Sequence, residues 1–229
     1  MKKNKIIITE ILIIAGIIFI IFAGVKFLND RSYTMISASA AVLSCIPFYL
    51  SYDMKEKGVM DIVLVSVMIS LIVAGRFVFA VTPFFKPVTA LVIITGFYLG
   101  KEAGFVTGSL SALISNMMFE QGPWTPFQMF VWGMTGFIAG LFADKKITDS
   151  KVFLVIYSVV AGVLFSMSMD VWTVISIDGT FDIDRYKAAL ITSVPIMIIY
   201  IVSDIVFLIA LKKSMGKRFV RIKSKYGSY

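Results

Sequence analysis

Polar and aromatic side chains interrupt a mostly apolar chain between residues 120 and 132. The stretch supplies rings that can stack on a flat ligand and amides and a hydroxyl that can hydrogen-bond neutral polar groups. The candidates are Gln121, Gly122, Pro123, Trp124, Thr125, Gln128 and Trp132. These residue types suit binding rather than bond-breaking chemistry. The stretch is therefore predicted to form part of the mouth of a ligand pocket.

Residues of the same kinds recur in two further polar segments, 81–87 and 176–186, and in the apolar runs beside them. They add rings to enclose a ligand, an amide, and charges to orient its polar edges: Phe84, Phe85, Trp172, Asn116, Lys86, Asp170 and Arg185. Ligand pockets are mainly apolar with a few placed polar groups, and this mixture matches that pattern. In any single segment, the aromatic residues and prolines can instead be interfacial anchors and helix ends. Three such segments on one face favour a pocket.

The residues needed for common catalytic routes are missing. The chain has no histidine, which excludes a Ser-His-Asp triad and a His-ligated metal. It has no phosphate-binding P-loop, so an energy-driven function would need a partner that hydrolyses ATP. Asp178, Asp182 and Asp184 are spaced somewhat like a calcium loop, but the closing glutamate is absent. We expect no enzymatic activity, no metal site and no cofactor of the protein's own.

The elements that must position these residues are transmembrane helices. Of the 229 residues, 59% are hydrophobic and 16% are charged, whereas soluble domains carry about 25% charged residues. Apolar runs predict eight spans, at about residues 6–27, 33–51, 59–82, 88–100, 103–119, 125–143, 152–174 and 187–211. The fourth and fifth are short and can form a pair joined by a tight turn. The first is longer than a signal-peptide core and lacks a clear cleavage site, so it is interpreted as a retained span. The chain is predicted to be an all-α polytopic membrane protein.

The distribution of basic residues orients these spans. The net charge is +8, but most of the 22 basic residues fall in alternate loops and in the C-terminal tail, as the positive-inside rule requires. Both termini are therefore predicted to be cytoplasmic, and the three polar segments extracellular. No nucleic-acid partner is expected. Cys45, the single cysteine, is predicted to be a small core residue.

Several ionisable residues lie within predicted spans, where an unpaired charge is costly. Arg76 and Asp170 fall at similar depth toward the outer side, which suggests an ion pair bracing the pocket. Asp204 lies nearer the cytoplasmic end of the last span, and Glu10 nearer the inner end of the first. Glu10 can reach the interface by snorkelling.

Small residues recur at four-residue spacing on several spans. The third span carries Ser66, Ser70 and Ala74, and the fifth carries Gly104 and Gly108. This spacing places small residues on one helix face, where another helix can approach closely. Packing within the protein is one interpretation. A smooth face that binds another membrane subunit is the other.

Three segments resemble a known family: Pro83 to Ala90, Gly96 to Phe105, and Gly122 to Met129. Together they are similar to the substrate-binding S components of energy-coupling factor (ECF) transporters. The run Gly-Pro-Trp-Thr-Pro-Phe-Gln-Met most resembles the cobalamin-specific subgroup. The resemblance implies a six-helix core at residues 58–213. A two-helix membrane extension at 1–57 would precede it, and a basic cytoplasmic tail at 214–229 would follow.

The resemblance also implies a function in the bacterial plasma membrane. S components capture a vitamin, here expected to be cobalamin, at the extracellular face and then bind a membrane coupling protein and two cytoplasmic ATPases. Ser66, Ser70 and Ala74 lie on the core helix that contacts the coupling protein in this family. Another vitamin, such as a flavin, is the first alternative, and a membrane scaffold protein without a ligand is the second. A membrane enzyme is the least favoured.

Overall fold

A computed structural model describes residues 33–53, 58–119, 121–122, 124–143 and 145–226. These residues form seven α-helices and one short 3-10 turn, Lys146–Asp149. The helices are α1 Tyr33–Asp53, α2 Val59–Val78, α3 Val88–Leu99, α4 Lys101–Phe119, α5 Thr125–Gly140, α6 Lys151–Asp178 and α7 Ile183–Tyr226. The all-α prediction is confirmed. The predicted first span, 6–27, lies outside the described residues.

Three of the described helices are long and apolar enough to cross a membrane: α2, α6 and α7. Their faces that point away from the protein carry large apolar side chains, such as Val67, Ile156 and Ile198. Such faces suit a lipid environment, in which burial of apolar groups within the protein is not required. The protein is therefore an all-α polytopic membrane protein.

The helix α3 forms the centre of the bundle. Every residue from Val88 to Phe97 is buried, because α2, α4, α5 and α7 all pack against this helix. A helix of 12 residues is about 18 Å long, shorter than the roughly 30 Å hydrocarbon core of a bilayer. The run that predicts a fourth span is thus a buried helix too short to span alone. Its hydrophobicity on all sides reflects protein neighbours on all sides.

A tight turn at Gly100 joins α3 to α4, as the short polar break predicts. Gly100 adopts φ 91°, a left-handed region that residues with a side chain rarely enter. The two helices fold back on each other, and α5 packs across both of them. The hairpin therefore fixes the height at which side chains of α3 and α4 meet those of α5.

The last helix, α7, is longer than the sequence predicts. It runs for 44 residues and continues past the predicted end of the span at residue 211 to Tyr226. Gly216 and Phe219 are buried along this extension, and the Lys223 ammonium donates a hydrogen bond to the Tyr98 carbonyl at 2.6 Å. Contacts with α3 continue the helix beyond the apolar run.

Candidate functional site

A cavity of about 280 Å³ opens between α2, the loop that follows it, and helices α3, α5, α6 and α7. Apolar, aromatic and charged groups from six parts of the chain line it: Arg76, Pro83, Phe84, Lys86, Val88, Thr89, Gln128, Trp132, Phe165, Tyr200 and Asp204. The composition is that of a ligand pocket, with an apolar body and few placed polar groups.

Four aromatic rings form one continuous wall of the cavity. Trp132 of α5 stacks on Phe165 of α6, with 5.6 Å between ring centroids and 10° between planes. Phe165 meets Tyr200 of α7 edge to face at 5.0 Å, and Tyr200 meets Phe84 in the same way at 5.7 Å. These offsets are the favourable arrangements for aromatic pairs. The wall therefore gives the cavity a continuous aromatic surface.

The loop between α2 and α3 holds two of the lining residues in place. Phe84 adopts φ 62°, a conformation that is costly for a bulky side chain and persists only when its surroundings impose it. The loop is clamped to α7 at Ser203. The Lys86 backbone N–H donates to the Ser203 hydroxyl, and that hydroxyl donates to the Lys86 carbonyl, both at 2.9 Å. Phe84 and Lys86 are thereby presented next to Asp204.

A hydrogen-bonded network built on Asn116 forms the polar side of the cavity. Arg76 donates to the Asn116 side-chain carbonyl at 2.8 Å and also to the Ser115 hydroxyl. The Asn116 amide nitrogen donates to Thr125 at 2.9 Å and to Gln128 at 2.8 Å. Because Asn116 is fully engaged, it positions Arg76 and Gln128 rather than facing the cavity itself.

Two cations lie on this side of the cavity. The Arg76 guanidinium lies 5.4 Å from the centroid of the Trp132 ring and 5.1 Å from that of Phe119, within the range of cation–π attraction. The Lys86 ammonium lies 5.6 Å from the Phe119 centroid. Burial lowers the pKa of Lys86, and the nearby charge of Arg76 lowers it further. Among the described residues, no carboxylate forms an ion pair with either cation. The cavity therefore presents positive charge.

Asp204 is the acidic group of the cavity. Its side chain is only 3% exposed. The oxygen Oδ2 has no hydrogen-bond partner among the described residues. A buried acceptor without a partner is costly, so this oxygen is a position where a donor on a ligand would be stabilised.

The structure brings together only part of the predicted binding set. Four predicted residues line the cavity: Phe84, Lys86, Gln128 and Trp132. Asn116 and Thr125 support it from behind through their hydrogen bonds. Pro123 lies outside the described residues.

Seven predicted binding residues do not line this cavity and contact other groups instead. Phe85 packs on Phe79 and Phe207, and Trp172 on Phe127. Gln121 is exposed and donates to the Leu113 carbonyl. Gly122 is covered by the ring of Trp124. Asp170 accepts a hydrogen bond from Ser193, and Arg185 pairs with Asp178.

The expected ion pair between Arg76 and Asp170 is not formed. Arg76 bonds neutral partners on α4, whereas Asp170 accepts a hydrogen bond from Ser193 of α7 at 2.6 Å. Arg76 and Asp204 both line the cavity, although neither belonged to the predicted binding set. Their signal was present in the sequence as charge inside a predicted span. Phe165 and Tyr200 carried no comparable signal, since aromatic residues are common in such helices.

The two predicted small-residue faces have different surroundings. Ser66, Ser70 and Ala74 are exposed on α2 and line a shallow surface groove. Gly104 and Gly108 are buried, and a Cβ on either would collide with the α5 backbone, 2.3 Å from the Gly136 and Trp132 carbonyl oxygens respectively. The prediction of a partner surface is thus corrected for these two glycines, which serve the crossing of α4 and α5.

One comparison with known proteins identifies a relationship. The family model described as ECF-type riboflavin transporter, S component, matches residues 57–217. The match covers more than half of the chain and includes every residue that lines the cavity. It does not support the expected cobalamin-specific subgroup, because the matching family is of the riboflavin type. No curated protein and no solved structure matches the chain.

Proposed function

The chain belongs to the family of ECF-type riboflavin transporter S components, and we propose that it binds riboflavin or a closely related flavin in the cavity beside Trp132. As an S component, the protein is a membrane-embedded, vitamin-specific subunit of an ECF transporter and is not an enzyme. The flavin assignment replaces cobalamin, which the sequence alone favoured.

The observation that carries the proposal is the aromatic wall facing a polar network in one cavity. The isoalloxazine ring of a flavin is flat and apolar on its faces, so it can stack against Trp132 and Tyr200. Its edge bears carbonyl groups and a ring N–H. Arg76 and the Gln128 amide can donate to those carbonyls.

The ribityl chain of a flavin offers hydroxyl donors. Asp204 supplies an unpartnered acceptor, and Lys86 supplies a donor at the loop. A volume of about 280 Å³ is just below the usual range for ligand pockets, about 300–1,000 Å³. This size favours a single tricyclic ring with a short chain over a corrin, which carries a macrocycle and many amide arms.

Flavin fluorescence tests the proposal directly. Riboflavin is titrated into the purified protein in detergent, and its fluorescence is expected to be quenched because a bound flavin would contact Trp132. Trp132→Ala should weaken binding roughly tenfold, since an aromatic stacking partner contributes about 0.5–1.5 kcal/mol beyond its buried area. Trp172→Ala is the matched control, because Trp172 is similarly buried, at 8% against 6% exposed, but does not line the cavity.

Two results would overturn the assignment. Equal riboflavin affinity in the two tryptophan variants would place the flavin elsewhere on the protein. Heat of binding for cobalamin in calorimetry, with none for riboflavin, would restore the corrin as the ligand.

A further inference from the structure

A second, larger cavity of about 810 Å³ lies between the start of α6 and the C-terminal part of α7. None of its lining residues lines the cavity beside Trp132, which is called the flavin cavity below. Its lining is Tyr98, Asp149, Lys151, Leu154, Ile209, Lys212, Lys213, Gly216, Lys217, Val220, Arg221 and Ser224. On α7, Lys212 follows Asp204 by eight residues, a distance of about 12 Å along the helix. This basic cavity is therefore near the opposite end of the bundle from the loop that carries Phe84.

Charge in the basic cavity is strongly unbalanced. Five cations and one carboxylate, Asp149, line it. Among the described residues, one of these five cations forms an ion pair: the Lys212 ammonium lies 2.5 Å from the Asp149 carboxylate. Lys151, Lys213, Lys217 and Arg221 therefore face the cavity without a carboxylate partner in the part of the chain that the structure describes. Four uncompensated cations around one space attract an anion that carries more than one acceptor oxygen.

The contacts of Lys212 hold the residues around this cavity in a fixed arrangement. Lys212 is only 6% exposed, and its ammonium also donates to the Thr148 carbonyl at 2.6 Å. These two bonds fix the 3-10 turn that precedes α6 against α7. The first turn of α6 lies beside the turn, and the positive end of its helix dipole adds to the field of the lysines.

The remaining lining residues specify the kind of anion. Leu154, Ile209 and Val220 give the cavity an apolar side, and the apolar part of α7 ends at Leu211, where the basic part begins. The cavity therefore lies at the boundary between hydrocarbon and water. An anion that presents phosphate oxygens to the cations and hydrocarbon to the apolar side is an anionic phospholipid. Basic pockets between membrane helices on the cytoplasmic side, where this end is predicted to lie, suit such headgroups.

We propose that the basic cavity between α6 and α7 binds the headgroup of an anionic phospholipid. The lipid phosphate contacts Lys213, Lys217 and Arg221, and its glycerol and acyl chains follow Leu154 and Ile209 toward the bilayer. Occupancy links the start of α6 to the extended end of α7. The site is independent of the flavin cavity, so either assignment can fail without the other.

Thermal unfolding in detergent tests this proposal. Dioleoylphosphatidylglycerol is expected to raise the Tm of the full-length protein, and native mass spectrometry is expected to show one tightly retained lipid. The Lys217→Gln/Arg221→Gln double variant should bind this lipid about tenfold more weakly, because it loses the electrostatic attraction of two cations for the lipid phosphate. Dioleoylphosphatidylcholine and inorganic phosphate should produce little shift.

The Arg218→Gln/Lys225→Gln double variant is the matched control. It removes one arginine and one lysine from the same stretch of α7, but neither residue lines the basic cavity. Equal loss of lipid in both variants would refute the site and indicate a general effect of charge. An equal Tm rise with inorganic phosphate would refute the lipid. If the cavity variant does not fold, Lys213→Gln replaces it, with the retained lipid counted by mass spectrometry.

Discussion

At the scale of single residues, Asp204 combines burial with an unmet hydrogen-bonding capacity. The side chain lines the flavin cavity, is 3% exposed and has one oxygen without a partner among the described residues. Removing a carboxylate from water is costly unless its oxygens are bonded. The protein retains this cost in the unliganded state, and a donor on the ligand would offset it. Asp204 is thus expected to favour ligand binding at the expense of stability.

Asp204→Asn should therefore separate the two effects. Replacing the buried carboxyl group with a neutral amide is expected to raise the Tm of the ligand-free protein, while the affinity for riboflavin falls roughly tenfold through loss of a hydrogen-bond acceptor for the ligand. Thermal unfolding and flavin fluorescence titration measure the two quantities on the same sample.

Asp170→Asn is the control, because Asp170 is also buried but bonds Ser193 away from the cavity. It should leave riboflavin affinity unchanged. A drop in affinity for the Asp170 variant equal to that for the Asp204 variant would show that neither effect is specific to the cavity.

At the scale of elements, close contact between α4 and α5 determines where the polar network forms. A Cβ at Gly136 would lie 2.2 Å from the Gly104 carbonyl oxygen, and one at Gly104 would lie 2.3 Å from that of Gly136. The two backbones therefore touch without intervening side chains. This contact brings Asn116 of α4 within reach of Thr125 and Gln128 of α5.

Gly136→Ala is accordingly expected to destabilise the protein by about 1–3 kcal/mol, the usual cost of overpacking a tight core. Backbone atoms block the added methyl group, so a rotamer change cannot relieve the clash. Unfolding in detergent measures the loss, and riboflavin affinity should fall as well because the Asn116 network is displaced.

Gly58→Ala provides the comparison. The nearest atom to a Cβ at Gly58 is 3.7 Å away, so the substitution loses the N-cap preference for glycine over alanine but causes no steric clash. Similar destabilisation by both substitutions would contradict the close crossing of α4 and α5.

At the scale of the whole molecule, the exposed face of α2 is the region we propose for contact with the ECF coupling protein. The hydroxyls of Ser66 and Ser70 donate to backbone carbonyls of their own helix, both at 2.9 Å. Both hydroxyls therefore have a hydrogen-bond acceptor, and the groove between the neighbouring apolar side chains is smooth. A helix of the coupling protein can approach such a face closely.

Ser70→Leu should block assembly with the coupling protein and the two ATPases without changing riboflavin affinity. The larger side chain fills the groove and holds the partner helix away, but it points away from the flavin cavity. Co-purification of the tagged protein with the coexpressed subunits measures assembly.

The control for this experiment is Thr192→Leu on α7. Thr192 is also exposed, and its hydroxyl also bonds its own helix. Intact assembly in the Ser70 variant, or its loss in both variants, would remove α2 from the proposed interface.

The helices and their membrane setting are determined largely by the sequence. Hydropathy along the chain is a local property, so the apolar runs of α2, α4 and α6 place those helices to within a few residues. The same property cannot distinguish a helix surrounded by lipid from α3, which is surrounded by protein. It also cannot show that α7 continues past Leu211, since contacts with Tyr98 stabilise that extension.

Which polar residues share a site is decided by the tertiary structure alone. The turn before α5 contains many binding-competent side chains, yet only Gln128 and Trp132, further along the helix, face the cavity. Arg76 and Asp204 are 128 residues apart in sequence and line one space because α2 and α7 both pack on α3. Residue type and spacing indicate what each side chain can bind. Contacts between helices far apart in sequence determine which side chains line the same site.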